Sequence, residues 1–341
     1  MGRVIPVPTK TKRVMRGKVD RLMSLTRRDF MSSLGGIVAV SALPSFAADD
    51  PSVFPARGMY ERLMLAYQRI DAGATAPFSI LHISDTHLSS AYPGEADGAD
   101  KMKSMQRRTR TFGGRQEEAL RDSLAWAKDH VDYVLHTGDL IDWQSEANFD
   151  LVKKYYGDTM FGSMGNHEFY TYLPGEKHTW QEVFKERSWS ILKNAYPVDA
   201  RFSARTINGI NFICMDDVFG TVQPDLVERF HAEAKKGLPI ILCMHVPFFT
   251  DFIWQASCRF WRSQTKRFAS AAVPEAEGDF KRQLEDKVTR DFIAYLKREP
   301  LLKGILVGHL HITLQERFSP TAMQYVVGGN FMFHGQEILF T

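Results

Sequence analysis

The chain has 341 residues, 44% of them hydrophobic and 24% charged, which is material for one substantial core and is neither a disordered nor a collagen-like composition. Its formal net charge of +3 is unevenly spread: residues 1–47 hold nine Lys/Arg and two Asp/Glu, so the remainder has 34 basic against 38 acidic residues. Without its first segment the protein is slightly acidic, which excludes a global charge reason to coat nucleic acid. The three cysteines, Cys214, Cys243 and Cys258, are an odd count without a CxxC pair, which argues against a disulfide framework or a zinc knuckle. Cys214 and Cys243 sit in apolar, strand-like runs and read as small buried hydrophobes, with a bridge between them left open by spacing alone.

In chain order, the first feature is a leader. Residues 24–31 read Ser-Leu-Thr-Arg-Arg-Asp-Phe-Met, an apolar Gly/Ala/Ser-rich stretch runs from Met31 to Leu43, and the small residues Ser45 and Ala47 follow. The order resembles a bacterial twin-arginine signal. That resemblance implies cleavage after Ala47, the twin-arginine export machinery as a partner, and a periplasmic or secreted mature protein. The apolar stretch is shorter than the ~20 residues of a spanning helix, so no stable membrane span is expected unless the signal is retained. Residues 1–22 are basic and contain prolines. Met23 stands directly before the signal, and a start there would make residues 1–22 an over-extended beginning.

Residues 48–57 contain Pro and Asp and read as a linker, and the apolar spacing over 58–72 predicts a helix within a lead-in that ends near 75. Over 76–341, short β-rich runs alternate with helical ones, an α/β pattern. Five of those runs end on metal-competent side chains. Phe78–Ser84 leads into Asp85 and His87, and Tyr133–Thr137 into Gly138, Asp139 and Asp142. Thr159–Met164 leads into Gly165, Asn166, His167 and Glu168; Pro239–Met244 into His245; Gly304–Val307 into Gly308, His309 and His311. Open α/β sheets bind ligands at the carboxyl ends of their strands, so the five ends are expected to converge. Gly138, Gly165 and Gly308 suit a backbone leaving the sheet tightly. The run Val288–Lys297, before Pro300, reads as a helix covering the sheet.

Carboxylate, imidazole and amide oxygen suit manganese, iron(II) and zinc. Two such cations about 3.5–4 Å apart clamp the attacking and leaving oxygens of an in-line phosphoryl displacement. The five motifs, in this order, resemble D-x-H, G-D-x-x-D, G-N-H-[ED], H and G-H-x-H of the calcineurin-like metallophosphoesterases, from about residue 76 to the C terminus. The resemblance implies an α/β fold, a four-layer sandwich of two mixed β-sheets flanked by helices, with the metal site at the strand C-terminal ends. It implies two divalent metal ions and a phosphate-ester substrate, monoester or diester, attacked in line by water activated between the metals. On the family pattern Asp139 bridges the cations, Asp85, His87 and His311 complete one, and Asn166, His245 and His309 complete the other. His167 is implied as general acid or charge stabiliser at the leaving group, Asp142 as the carboxylate that orients it, and Glu168 as support.

Asp142 and His87 stand where purple acid phosphatases carry tyrosine and glycine, so a tyrosinate-coloured iron site is not implied. Gly165–Phe169 is shared with periplasmic nucleotidases, which add a C-terminal domain that this sequence lacks after His311. Two insertions separate motifs. That at 89–115 carries Lys101, Lys103, Arg107, Arg108, Arg110 and Arg115, and reads either as a basic loop meeting substrate phosphate or as a solvated loop. That at 248–285 opens with Phe248, Phe249, Phe252, Trp254, Phe260 and Trp261, and reads either as an aromatic substrate wall or as a self-packed subdomain. His130, His178, His231 and His334 fit no motif. Other readings are a metal-loaded binding protein with little turnover, and a nuclease or nucleotidase branch of the same family.

Overall fold

The computed structural model describes residues 62–96, 98–170, 182–261 and 286–341. The leader, the linker at 48–57, residues 171–181 with His178, and residues 262–285 of the second insertion lie outside the described residues. Among the described residues no helix is long and apolar enough to cross a membrane.

Two mixed sheets form the frame. The first takes β1 (Met64–Ile70), β2 (Phe78–Ile83), β3 (Tyr133–Thr137), β4 (Met160–Ser163) and β11 (His334–Phe340) in the order β1-β11-β2-β3-β4. The second takes β5 (Phe202–Ile207), β6 (Ile210–Met215), β7 (Ile240–Cys243), β8 (Leu302–Val307), β9 (Leu314–Arg317) and β10 (Met323–Val326) in the order β5-β6-β7-β8-β10-β9. β2, β3 and β4 run parallel, as do β6, β7, β8 and β10. β11 runs antiparallel to β2, and β5 and β9 run antiparallel to their neighbours β6 and β10.

Alternate side chains of each strand point to opposite faces. Ile80, Leu135 and Phe161 of the first sheet meet Phe212, Ile241 and Leu306 of the second in the core between them. Leu81, Ile83 and Val134 face the other way, under α2 (Gln116–His130), α3 (Glu146–Tyr155) and α4 (Glu182–Ala195). Ile213, Leu242 and Ile305 face α5 (Pro224–Ala234), α6 (Asp251–Trp261) and α7 (Lys287–Leu296). With both faces covered, the central strands β3, β7 and β8 are mainly apolar, which is how they read in sequence. Local capping agrees: Ser145 accepts from the Asn148 N–H at the start of α3, and Asp286 from the Thr289 N–H at the start of α7. The two buried cysteines, Cys214 and Cys243, are register partners on β6 and β7 and are free thiols.

The expected helix over 58–72 is not formed where the chain is described. Residues 64–70 are the edge strand β1, paired in parallel with β11 from Met64↔His334 to Ile70↔Phe340. Tyr67 and Arg69 are exposed while Ile70 is buried in the core between the sheets. The hydrogen-bonding partner is the far end of the chain, and that tertiary pairing overrides a local helical spacing. The insertion expected as a loop over 89–115 contains a helix, α1 (Ala99–Thr111). In the second insertion Phe248 is a core residue stacked on Phe318 at 5.4 Å, and Phe260 packs against the same core. Phe252 is exposed.

Candidate metal centre

Each motif residue emerges as its strand stops. Asp85 and His87 follow β2, Asp139 follows β3, Asn166 follows β4, His245 follows β7, and His309 and His311 follow β8. Five of them, Asp85, His87, Asp139, His309 and His311, have left-handed backbone, with φ between 54° and 67°. Non-glycine residues adopt that conformation at a cost, and the surrounding contacts enforce it here. At Gly138 (φ 94°) a Cβ would come within 2.6 Å of both Gly165 N and His245 Nδ1, so a side chain is excluded where the β3, β4 and β7 ends meet.

The side chains form two groups that share a carboxylate. In the first, His311 Nε2 lies 3.2 Å from Asp85 Oδ1 and 3.1 Å from His87 Nε2. In the second, His245 Nε2 lies 3.2 Å from both Asn166 Oδ1 and His309 Nδ1. Asp139 Oδ2 stands between them, 3.7 Å from His87 Nε2 and 3.4 Å from His245 Nε2. Asp85 and His245 are fully buried, whereas His167, His309 and His311 keep 7–9% exposure, so the cluster opens on their side.

Neighbouring groups aim these atoms. His245 Nδ1 donates to the Thr137 carbonyl at 2.7 Å, and His87 Nδ1 donates to Asp142 Oδ1 at 3.0 Å; each contact turns Nε2 inward. Asn166 Nδ2 donates to Tyr170 Oη at 3.2 Å, which leaves its oxygen facing His245. Glu168 is buried and accepts from the backbone N–H of Asp139 (3.0 Å), Leu140 (2.7 Å) and Gly165 (2.8 Å), and from Tyr196 Oη (3.1 Å). It ties the exits of β3 and β4 together. Asp217 does the same for β7, accepting from the N–H of His245 at 3.0 Å and of Val246 at 3.1 Å.

The electrostatics ask for positive charge. Burial lowers His87 to about 4 and His309 to about 3, which keeps both rings neutral with lone pairs to offer. Burial acts against charge on His245 too, but the Asp139 and Asp85 carboxylates outweigh it and raise it to about 10. Asp85 Oδ1 is buried and faces the imidazole of His311 at 3.2 Å. Three sets of donors lie within 4.8 Å of one another: Asp85/His87/His311, His87/Asp139/His167, and Asp139/His245/His309. Imidazoles, carboxylates and an inward amide oxygen fit borderline divalent cations, with no thiolate among them.

His167 and Asp142 lie beside the first group. His167 Nδ1 is 2.9 Å from Asp142 Oδ1, and the backbone N–H of His167 donates to Asp139 Oδ1 at 2.8 Å. Burial disfavours charge on His167, yet Asp139 and Asp142 raise its pKa. All nine site residues expected from sequence are thus brought into one cluster. Sequence reasoning missed Asp217, although it follows the end of β6 as the other motif residues follow their strands. It also gave no role to Phe112, whose ring stacks on that of His87 at 3.9 Å and 8°. Of the basic side chains on the first insertion, Lys103, Arg107, Arg110 and Arg115 are exposed, and Arg108 turns inward to Asp142.

Buried oxygen and nitrogen donors at the strand ends of a double-sheet α/β sandwich define a metal-competent α/β protein. The sequence profile of the calcineurin-like phosphoesterases matches residues 78–313, and the chain belongs to that family of phosphoester hydrolases. Among solved structures it is similar to a dimetal phosphatase from Danio rerio at 14% identity, covering 75% of this chain and 88% of that one, with a TM-score of 0.42. It is similar to a phosphopantetheinyl hydrolase from Mycobacterium tuberculosis at 13% identity, covering 75% and 91%, with a TM-score of 0.38. A 5'-nucleotidase from Candida albicans aligns at 13% identity over 79% of this chain but only 47% of its own length, with a TM-score of 0.35. The family assignment rests on the profile and not on these structures. No curated protein sequence matches the chain.

Proposed function

We propose that the protein is an exported phosphoesterase that works with a pair of divalent cations. Asp85, His87 and His311 hold one cation, Asn166, His245 and His309 hold the other, and Asp139 is shared. The observation that carries this reading is the place of Asp139 Oδ2, between His87 Nε2 at 3.7 Å and His245 Nε2 at 3.4 Å. Manganese, iron and zinc all suit the donor set. When bound, the pair supplies Lewis acidity to the phosphate oxygens and lowers the pKa of water.

The protein's own residues do the rest. Burial disfavours a proton on His167, but Asp139 and Asp142 face it and raise its pKa, and its Nδ1 is held by Asp142. Nε2 is then the nitrogen that presents a proton to the leaving oxygen. Glu168 and Asp217 hold the backbone of the loops from which the donors project. A monoester and a diester both satisfy this chemistry. Export is supported by Arg27-Arg28, the apolar stretch Met31–Leu43 and the small residues Ser45 and Ala47.

The test pairs elemental analysis with hydrolysis of a chromogenic monoester and diester by manganese-loaded protein, with a chelated control. His167→Ala should keep its metal and lose about 10²–10⁴-fold in turnover on an alkyl phosphate ester, whose poor leaving group needs the proton. Full activity in that variant, or metal content unchanged in Asp139→Ala, would sink the assignment.

A further inference from the structure

The Asp142 carboxylate is more heavily used than the orientation of one histidine requires. Its Oδ1 lies 3.0 Å from His87 Nδ1, 2.9 Å from His167 Nδ1 and 2.6 Å from Arg108 Nη2, while Oδ2 accepts from Arg108 Nε at 2.9 Å. Both imidazoles therefore engage the same oxygen. Neither ring contacts Oδ2 in the same way. The planar guanidinium of Arg108 holds both oxygens with a two-point fork, which a lysine's point charge cannot reproduce.

Arg108 is itself well placed for this. It comes from α1, in the insertion between the first two motifs, 34 residues before Asp142. The helix docks through buried Met105 and through Phe112, whose ring stacks on His87. Arg108 and Phe112 are one helical turn apart, and the guanidinium carbon sits 4.7 Å from the Phe112 ring centre. Nη2 also lies 3.3 Å from both ring nitrogens of His167, so the guanidinium fills the corner between Asp142 and that ring.

We infer that Arg108 is a positioning residue for the hydrolysis, fixing the Asp142 carboxylate so that His167 is aimed at the leaving oxygen. The inference rests on the roles proposed above for His167 and Asp142. Neither the charge pattern of the insertion nor the five motifs assigns this role to Arg108, because five other basic residues of that segment look the same in sequence.

Arg108→Ala and Arg108→Lys are to be compared with the parent, all manganese-loaded, on two phosphate esters: a nitrophenyl ester with a good leaving group and an alkyl ester with a poor one. If His167 is misdirected, only the poor leaving group misses its proton. We expect kcat on the alkyl ester to fall on the order of 10–100-fold in both variants, and less than about 3-fold on the nitrophenyl ester, with KM and metal content retained. Should Arg108→Ala fail to fold, the Arg108→Lys comparison decides alone. Equal losses on both esters, a rise in KM with kcat unchanged, loss of metal, or parental kinetics would each overturn the inference. His167→Ala in the same assay separates the two layers. If it retains full activity the underlying reading is at fault; if it is impaired while the Arg108 variants are not, only the role of Arg108 fails.

Discussion

Replacing Lys185 with methionine removes one half of an ion pair that water scarcely reaches. Lys185 Nζ lies 2.6 Å from Asp216 Oδ2 and donates to the Val218 carbonyl at 3.0 Å, and both charged side chains are 1% exposed. The rings of Phe169, Trp189 and Phe219 surround the ammonium at 5.7–5.9 Å, so little polar material is at hand to take over. The variant leaves the Asp216 carboxylate buried with the Val218 N–H at 3.1 Å but without its cation. Breaking a buried pair in this way costs about 3–5 kcal/mol. For a folded unit of this size each kcal/mol lowers Tm by roughly 2 °C, so Lys185→Met should melt about 6–10 °C below the parent. The double variant Lys185→Met/Asp216→Leu should recover most of that loss, because two apolar groups carry no stranded charge. Calorimetry or circular dichroism on the three proteins reads both effects. A single variant within 2 °C of the parent, or a double variant showing the sum of two full losses, would refute the claim that a desolvated charge governs this position.

Other expectations follow from the same structure. Glu168→Gln leaves one acceptor oxygen for N–H groups now shared between two, so metal affinity should drop about 10–100-fold by titration, with the fold retained. Glu118 is held down to about 2, first by its hydrogen bonds from Arg115 at 2.7 and 2.9 Å. A depressed carboxylate stabilises above its unfolded pKa and loses that contribution as pH falls through the folded one. The Tm gap between the parent and Glu118→Gln should therefore be present at pH 6 and close by about pH 2, and a gap that widens in acid would reverse the sign. Arg27→Lys/Arg28→Lys should trap precursor in the cytoplasm, while the exported parent should begin just after Ala47 when its N terminus is sequenced.

Much of the fold was legible because it is written locally. β2, β3, β4, β7 and β8 each appear as a short, mainly apolar run followed by polar or glycine residues, and a strand buried on both faces is built mostly of such residues. The donors were legible for the same reason: each follows a strand end directly, so finding the strand also locates Asp85, Asp139, Asn166, His245 and His309. β1 was misread because Met64–Ile70 has a helical spacing of apolar residues and no local mark of β11, its partner at the opposite end of the chain.

What only the tertiary structure decided is which long side chains cross between elements. Arg108 is one arginine among several on α1, and nothing within the helix shows that its side chain would reach Asp142. Lys185 and Asp216 belong to a helix and a loop with no sequence link, yet among the described residues they form the most buried pair of a lysine or arginine with a carboxylate. Periodicity states which face of an element is buried, and strand-end chemistry states what stands at its tip. The docking angle of one element on another sets the reach of a guanidinium or an ammonium, and that angle is a property of the whole packed core.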